Sequence, residues 1–235
     1  MVAKRVICCL TFKDGILFRS KGFKQDLRYT MSQVDVTLAD ELCLIDVGED
    51  REAFFGAVDR LLAECFVPVT MGGRVYGMAD AQELILRRGA DKVIVGRAIW
   101  ESPDEVSRMA RKFGAQALVA AVDDDNGRAR HSGLPTVEAA VRAQEVGCGE
   151  ILFQSVQRDG TLNGYDLKTL AAISEAVTIP VIVCSGCGAW SHMAQGFAAG
   201  ADACASNNIF HYTAAALTKA KVYLKERNVP VRLIA

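Results

Sequence analysis

Two stretches of this chain repeat two others at a fixed interval, and that constrains the fold more than any single motif does. Val67-Pro-Val-Thr-Met-Gly-Gly has the outline of Ile179-Pro-Val-Ile-Val-Cys-Ser-Gly, and Arg88-Gly-Ala-Asp-Lys-Val that of Ala199-Gly-Ala-Asp-Ala-Cys. Each pair lies roughly 110 residues apart, the mark of a duplicated architecture. Glu41 pairs with Glu150 in the same way, and Asp91 with Asp202. Four βα units repeated once give eight parallel strands, and a closed (β/α)₈ barrel has about the length of this 235-residue chain. An open doubly wound sheet is the alternative, but a symmetric repeat closes more naturally into a barrel. With no Pro/Ser-rich linker and no low-complexity tract, residues 1–235 read as one domain.

Taken in order, Arg5 to Gly15 is an apolar run with β-branched residues that ends in Lys-Asp-Gly turn chemistry, so it reads as a buried strand. Alternation puts Arg5, Ile7, Cys9 and Thr11 on one face, with a cation at the strand's start and a hydroxyl at its end. Ile16 to Gly22 reads as a short basic excursion, and Gln25 to Asp40 as a loop with one short helix. Further strands are expected within 41–47, 67–74, 91–97, 116–123, 150–156, 179–186 and 202–207. Helices are expected at 52–62, 79–88, 136–146, 167–176 and 192–199, with Gly89 and Gly147 placed as C-caps.

A hydrophobic content of 51% is enough for a sizeable core without staples. The formal net charge of -1 gives no global attraction to nucleic acid or to an anionic membrane, so any phosphorylated ligand must be held by local devices. No apolar stretch is long enough to span a bilayer and no h-region precedes the first strand, which predicts a cytosolic protein. The eight cysteines (Cys8, Cys9, Cys43, Cys65, Cys148, Cys184, Cys187, Cys204) lie mostly inside apolar runs, where reduced thiols act as small core residues.

In a barrel the strand C-termini face the active site. They carry Thr11, Asp46, Gly72-Gly73-Arg74, Gly96-Arg97, Asp123, Gln157-Arg158-Asp159-Gly160, Ser185-Gly186 and Asn207-Asn208. Singly, such glycines turn the chain. Placed symmetrically after the third and seventh strands, they let backbone N–H groups approach an anion closely, which suggests a ligand with two phosphates. At the opposite ends sit Arg5, Glu41, Lys92 and Glu150. Each alone is a solvated strand start; all four facing inward would neutralise one another as a ring across the barrel floor.

Other chemistry is weaker. Cys184-Ser-Gly-Cys187 has redox spacing, but it ends a strand instead of opening a helix beside a cation, which favours a structural role. His131, His192 and His211 offer no metal-ligand spacing, and neither metal nor cofactor is expected. Trp100 and Trp190 follow strand ends, where wall or helix packing is the expectation over contact with a ligand.

Ala3-Lys-Arg-Val-Ile-Cys-Cys-Leu, Lys13-Asp-Gly, Ala90-Asp-Lys-Val, Gly149-Glu-Ile-Leu, Arg158-Asp-Gly-Thr, Asn163-Gly-Tyr-Asp, Ala199-Gly-Ala-Asp-Ala and Ile209-Phe-His resemble the cyclase subunit of imidazole glycerol phosphate synthase, the HisF family, over nearly the whole chain. The resemblance implies a (β/α)₈ barrel that docks a HisH-type glutaminase on its N-terminal face. It also implies that ammonia passes up the barrel to a bis-phosphorylated aminoimidazole-precursor nucleotide. The family's floor gate falls on Arg5, Glu41, Lys92 and Glu150, and its active-site-loop lysine on Arg19.

The catalytic end departs from that pattern. The family's two aspartates fall on Asp123 and Thr11, and an unactivated hydroxyl cannot take and return a proton near neutral pH as a carboxylate does. Arg74 replaces a glycine, Gly96-Arg97 an Asn-Thr pair, Gly186-Cys187 a glycine pair and Gln157 an aspartate. Segments after the first and fifth strands are shorter than the family's. Three readings follow. The first is a paralogue that keeps glutaminase docking and ammonia conduction but serves another reaction, such as amidation of a sugar by an acceptor enzyme, with Arg74 and Arg97 free to bind a different anion. The second is an authentic cyclase with an altered acid, using Asp123, Asp159 and Ser185. The third is a silent scaffold that activates a glutaminase.

Overall fold

The computed structural model describes residues 3–26, 36, 39–63, 66–212 and 216–232. Its strands are β1 (Arg5–Lys13), β2 (Ile16–Lys21), β3 (Lys24–Asp26), β4 (Glu41–Asp46), β5 (Val69–Gly72), β6 (Lys92–Val95), β7 (Leu118–Asp125), β8 (Arg128–Ala129), β9 (Glu150–Ser155), β10 (Val181–Cys184) and β11 (Ala203–Ser206). Strands β1, β4, β5, β6, β7, β9, β10 and β11 pair in parallel, each with the next, and β11 returns to β1 with Arg5 opposite Ala203 and Cys8 opposite Ser206. The sheet therefore closes, and with helices between its strands it is the (β/α)₈ barrel that the repeat predicts.

Both faces of each strand are buried, which is why the strands read as near-continuous apolar runs. Outward residues such as Val6, Cys8 and Leu10 pack on the helices in the larger core. Inward residues Ile7, Cys9, Cys43, Ile94, Val119, Leu152, Ile182, Cys184, Ala203 and Ala205 fill the barrel. The helix Thr136–Val146 stops at Gly147, which is left-handed (φ 112°) and donates to Ala143 and Gln144, as a C-cap should.

Three segments differ from expectation. The stretch read as a basic excursion, Ile16 to Gly22, is instead a strand: it folds back antiparallel on β1 as β2, with Thr11 opposite Phe18, and then pairs with β3. The turn at Asp14-Gly15, both at positive φ, directs it there. The rest of the 25–40 expectation falls largely on 27–35 and 37–38, outside the described residues. Within 79–88 only Met78–Gln82 is α-helical; Glu83–Arg87 widens into a π turn, closed by Arg88, which donates to Glu83 from its backbone and its guanidinium and lies 3.9 Å from the Phe55 ring centroid. A helix also forms at Pro103–Phe113, with proline in first position, acids in its first turn and bases in its last.

Candidate functional site

At the N-terminal end of the barrel, alternation brings the four expected charges inward and they form a closed ring. Arg5 donates to Glu41 Oε2 at 2.7 Å and also to Glu150. Lys92 donates to Glu41 at 3.1 Å and to Glu150 Oε2 at 2.7 Å, while the Thr70 hydroxyl donates to Glu41 at 2.7 Å. Burial opposes ionisation of Glu41, but Lys92, Thr70 and Arg5 together outweigh it and hold its carboxyl below the usual range. Burial likewise opposes the Arg5 charge, and Glu150 with Glu41 restores it, leaving the guanidinium more basic than usual.

At the other end a cavity of about 300 Å³ opens over the same column of side chains. Its floor is Cys9, Cys184 and Ile45, and its walls include Thr11, Asp123, Gln154, Phe18 and Phe23. Asp123 ends the inward side of β7, where its register partner Gln154 on β9 donates to Oδ1 at 3.0 Å. His131 Nε2 lies 3.8 Å from Oδ2. Burial raises the Asp123 pKa above the ordinary carboxylate range, against the opposing pull of Gln154, His131 and Arg130. An up-shifted carboxyl in a cleft is what an acid–base role requires. Thr11, at the same level on β1, contributes only a hydroxyl.

The β2–β3 hairpin covers one side of this mouth, and residues expected to bind an anion hold it down. Asp159 accepts from the Ser20 hydroxyl at 3.0 Å and from the Phe23 N–H at 2.9 Å. Asn207 donates to the Phe18 carbonyl at 3.3 Å, and Asn208 to that of Ser20 at 3.2 Å. Gly160 lies so close that a Cβ would fall 2.5 Å from the Ser20 oxygen. Burial raises the Asp159 pKa, with Phe23 and Ser20 opposing. Ser185 and Gly186 line the cavity at positive φ (75° and 92°), and for serine that conformation is strained.

Of the expected first-half positions, Gly72, Gly73, Arg74, Gly96 and Arg97 are not among the cavity-lining residues. A Cβ on Gly73 would sit 1.8 Å from the Asp46 carbonyl oxygen, so this glycine is required by backbone packing. Arg74 donates to Asp46 at 2.5 Å and to the Glu49 carbonyl at 2.7 Å. Arg97 is half exposed and lies 3.7 Å from Glu101. Arg19 is buried on β2, 3.5 Å from Asp26 across the hairpin, and is not a lining residue. The sequence reading missed Gln154, Arg130, His131, Phe18, Ser20 and Phe23. Only Gln154 carried a signal, being four residues along the strand from inward-facing Glu150.

Trp100 and Trp190 pack against the core between barrel and helices. Seven cysteines are buried and form no disulfide with one another, while Cys65 lies outside the described residues. Burial pushes Cys187 up to about 11, which leaves no activated thiol in the Cys184–Cys187 pair. Among the described residues no three His, Cys, Asp or Glu side chains are placed to hold a metal, and no helix is long and apolar enough to cross a membrane.

Comparison with known proteins agrees with this geometry. The family model described as histidine biosynthesis protein matches residues 5–216. The imidazole glycerol phosphate synthase subunits HisF of Chlorobium luteolum, Prosthecochloris aestuarii and Chlorobaculum tepidum are each 40% identical over 252 residues, covering 99% of this chain and 100% of the relative. An alignment longer than the 235-residue chain means the relatives carry residues that this chain lacks. A closed eightfold barrel and a whole-length match together place the chain in the histidine biosynthesis protein family, as a HisF-type cyclase subunit.

Proposed function

We propose that this chain is the barrel subunit of a glutamine amidotransferase, docking a HisH-type glutaminase on its N-terminal face and passing ammonia up the lumen to a reaction other than histidine-pathway cyclisation. The observation that carries the reading is the contrast between the two ends of one column: Arg5 stands in a complete ring of charges, and Thr11 stands where a carboxylate is needed. Between them the lumen is lined by Ile7, Cys9, Val119, Ile182 and Cys184, small or apolar groups that suit a neutral passenger. Hydrogen bonding to Cys9 and burial hold the Cys184 thiol well above its ordinary range, so it keeps its proton and does not convert passing ammonia to ammonium. The ammonia is handed to an acceptor, such as a sugar bound by a separate enzyme.

The test combines the chain with a HisH-type glutaminase, glutamine and the aminoimidazole-precursor nucleotide. Glutamine hydrolysis should rise on adding the chain while no cyclised product forms, and turnover at a family-typical rate would overturn the reading. Lys92→Ala should impair ammonia transfer; unchanged transfer would argue against a conducting floor. One observation favours cyclase activity instead: Asp123 is held by Gln154 with a raised pKa, so one of the two acid–base groups is intact. Cyclisation that is lost in Asp123→Asn would decide for that second reading.

A further inference from the structure

The sequence places glycine-rich turns on both sides of the barrel mouth, but only one side reaches the cavity. All four second-half strands contribute lining residues, among them Asp123, Gly160, Gly186 and Asn208, whereas nothing from the ends of β5 and β6 does. The first-half arginines are turned to other work: Arg74 is tied to Asp46 and Glu49, and Arg97 faces solvent beside Glu101. The hairpin fills part of the mouth instead, bringing Phe18 and Phe23 to the wall.

The charge inventory points the same way. Among the described lining residues Arg130 is the one cation, against the carboxyls of Asp123 and Asp159. It directly follows β8, with its guanidinium 5.9 Å from the Phe23 ring centroid, and its backbone N–H is anchored on the Asp123 carbonyl at 2.8 Å. Two phosphates would bring about four negative charges at neutral pH. With two carboxyls already on the wall, a single guanidinium cannot offset them. A cavity of about 300 Å³ is also at the lower limit for small-ligand sites.

We infer that the cavity takes a compact ligand with a single anionic group, seated on the second-half strand ends with that group on Arg130 and its body against Phe18 and Phe23. The inference rests on the reading that this chain serves a reaction other than cyclisation, and it names the class of ligand that the mouth holds. A planar guanidinium grips a phosphate or a carboxylate through paired hydrogen bonds. Gly160 and Gly186 line the same wall without adding a side chain to it.

Isothermal titration of the full chain with fructose 6-phosphate and fructose 1,6-bisphosphate tests this. The monophosphate should bind one to one, and the second phosphate should add less than about threefold in affinity. Arg130→Gln should weaken binding by about tenfold or more, with Arg130→Lys in between, as loss of a charge-assisted pair predicts. Arg74→Gln and Arg97→Gln should stay within about twofold of the parent. Absence of monophosphate binding, an indifferent Arg130→Gln, or a bisphosphate preference of about tenfold that depends on Arg74 or Arg97 would each overturn the inference. The titration uses neither glutaminase nor ammonia, so its failure leaves the conduction test above standing, and failed conduction leaves the titration interpretable.

Discussion

Gln154 and Asp123 are register partners on β9 and β7, and the amide of one donates to the carboxyl of the other at 3.0 Å. The acid–base candidate is therefore aimed by strand pairing itself. Burial raises its pKa, so the fold favours its protonated form. A carboxyl shifted up contributes its stability below the unfolded value of about 4 and loses it as pH rises through the folded value. Asn mimics the protonated state at every pH. Asp123→Asn should match the parent's melting temperature in acid and exceed it at pH 7 to 8; thermal scans across pH check this, and a less stable variant at neutral pH would contradict it.

The floor ring behaves in the opposite sense. Glu41 is held below the usual range, so its stabilisation is present above the unfolded pKa and is lost as pH falls through the folded one. Lys92→Met leaves two buried carboxylates sharing Arg5 alone, which should cost about 3–5 kcal/mol at neutral pH. Urea denaturation measures it, and the deficit should shrink in acid.

Lys221 and Asp40 form a second buried pair at 2.6 Å, and Asp40 also accepts from the Val6 N–H at 2.8 Å. This contact ties the helix Ala216–Lys225 to the start of the barrel. Lys221→Met should destabilise by a similar ~3–5 kcal/mol, and restoring charge balance with Asp40→Asn in the same chain should recover part of it.

Limited proteolysis can report the hairpin. Asp159→Ala removes the acceptor for Ser20 and Phe23, and Lys21 and Lys24 flank the turn it anchors. Trypsin should cut there about tenfold faster or more than in the parent, because local opening becomes easier. Asp159→Asn, which keeps an acceptor, should lie between.

Thiol titration offers a fifth check. Seven of the eight cysteines are buried and form no disulfide with one another, with Cys148 pushed up to about 12 by burial. In the native protein at pH 8 no more than one thiol should react with a disulfide reagent, and all eight should react in denaturant.

The barrel was legible because its cause is periodic. The repeat fixes the number of strands, and alternation along β1 and β9 fixes which residues enter the lumen, so the ring of Arg5, Glu41, Lys92 and Glu150 follows from strand starts alone. The mouth was less legible because it is built by contacts between distant loops. Nothing local marks Ile16–Lys21 as a strand until Gly15 turns it onto β1, and nothing local brings Arg130 beside Phe23. The Gly73 turn looked like an anion cradle, yet its glycine is required by the Asp46 carbonyl.

The hairpin belongs to the first half of the duplication, while Asp159, Asn207 and Asn208 that hold it belong to the second. The halves have thus ceased to be interchangeable modules. A chimera joining two copies of either half would close a barrel with a mismatched roof: two first halves would bring hairpins with nothing to fasten them, and two second halves would bring fasteners with nothing to hold.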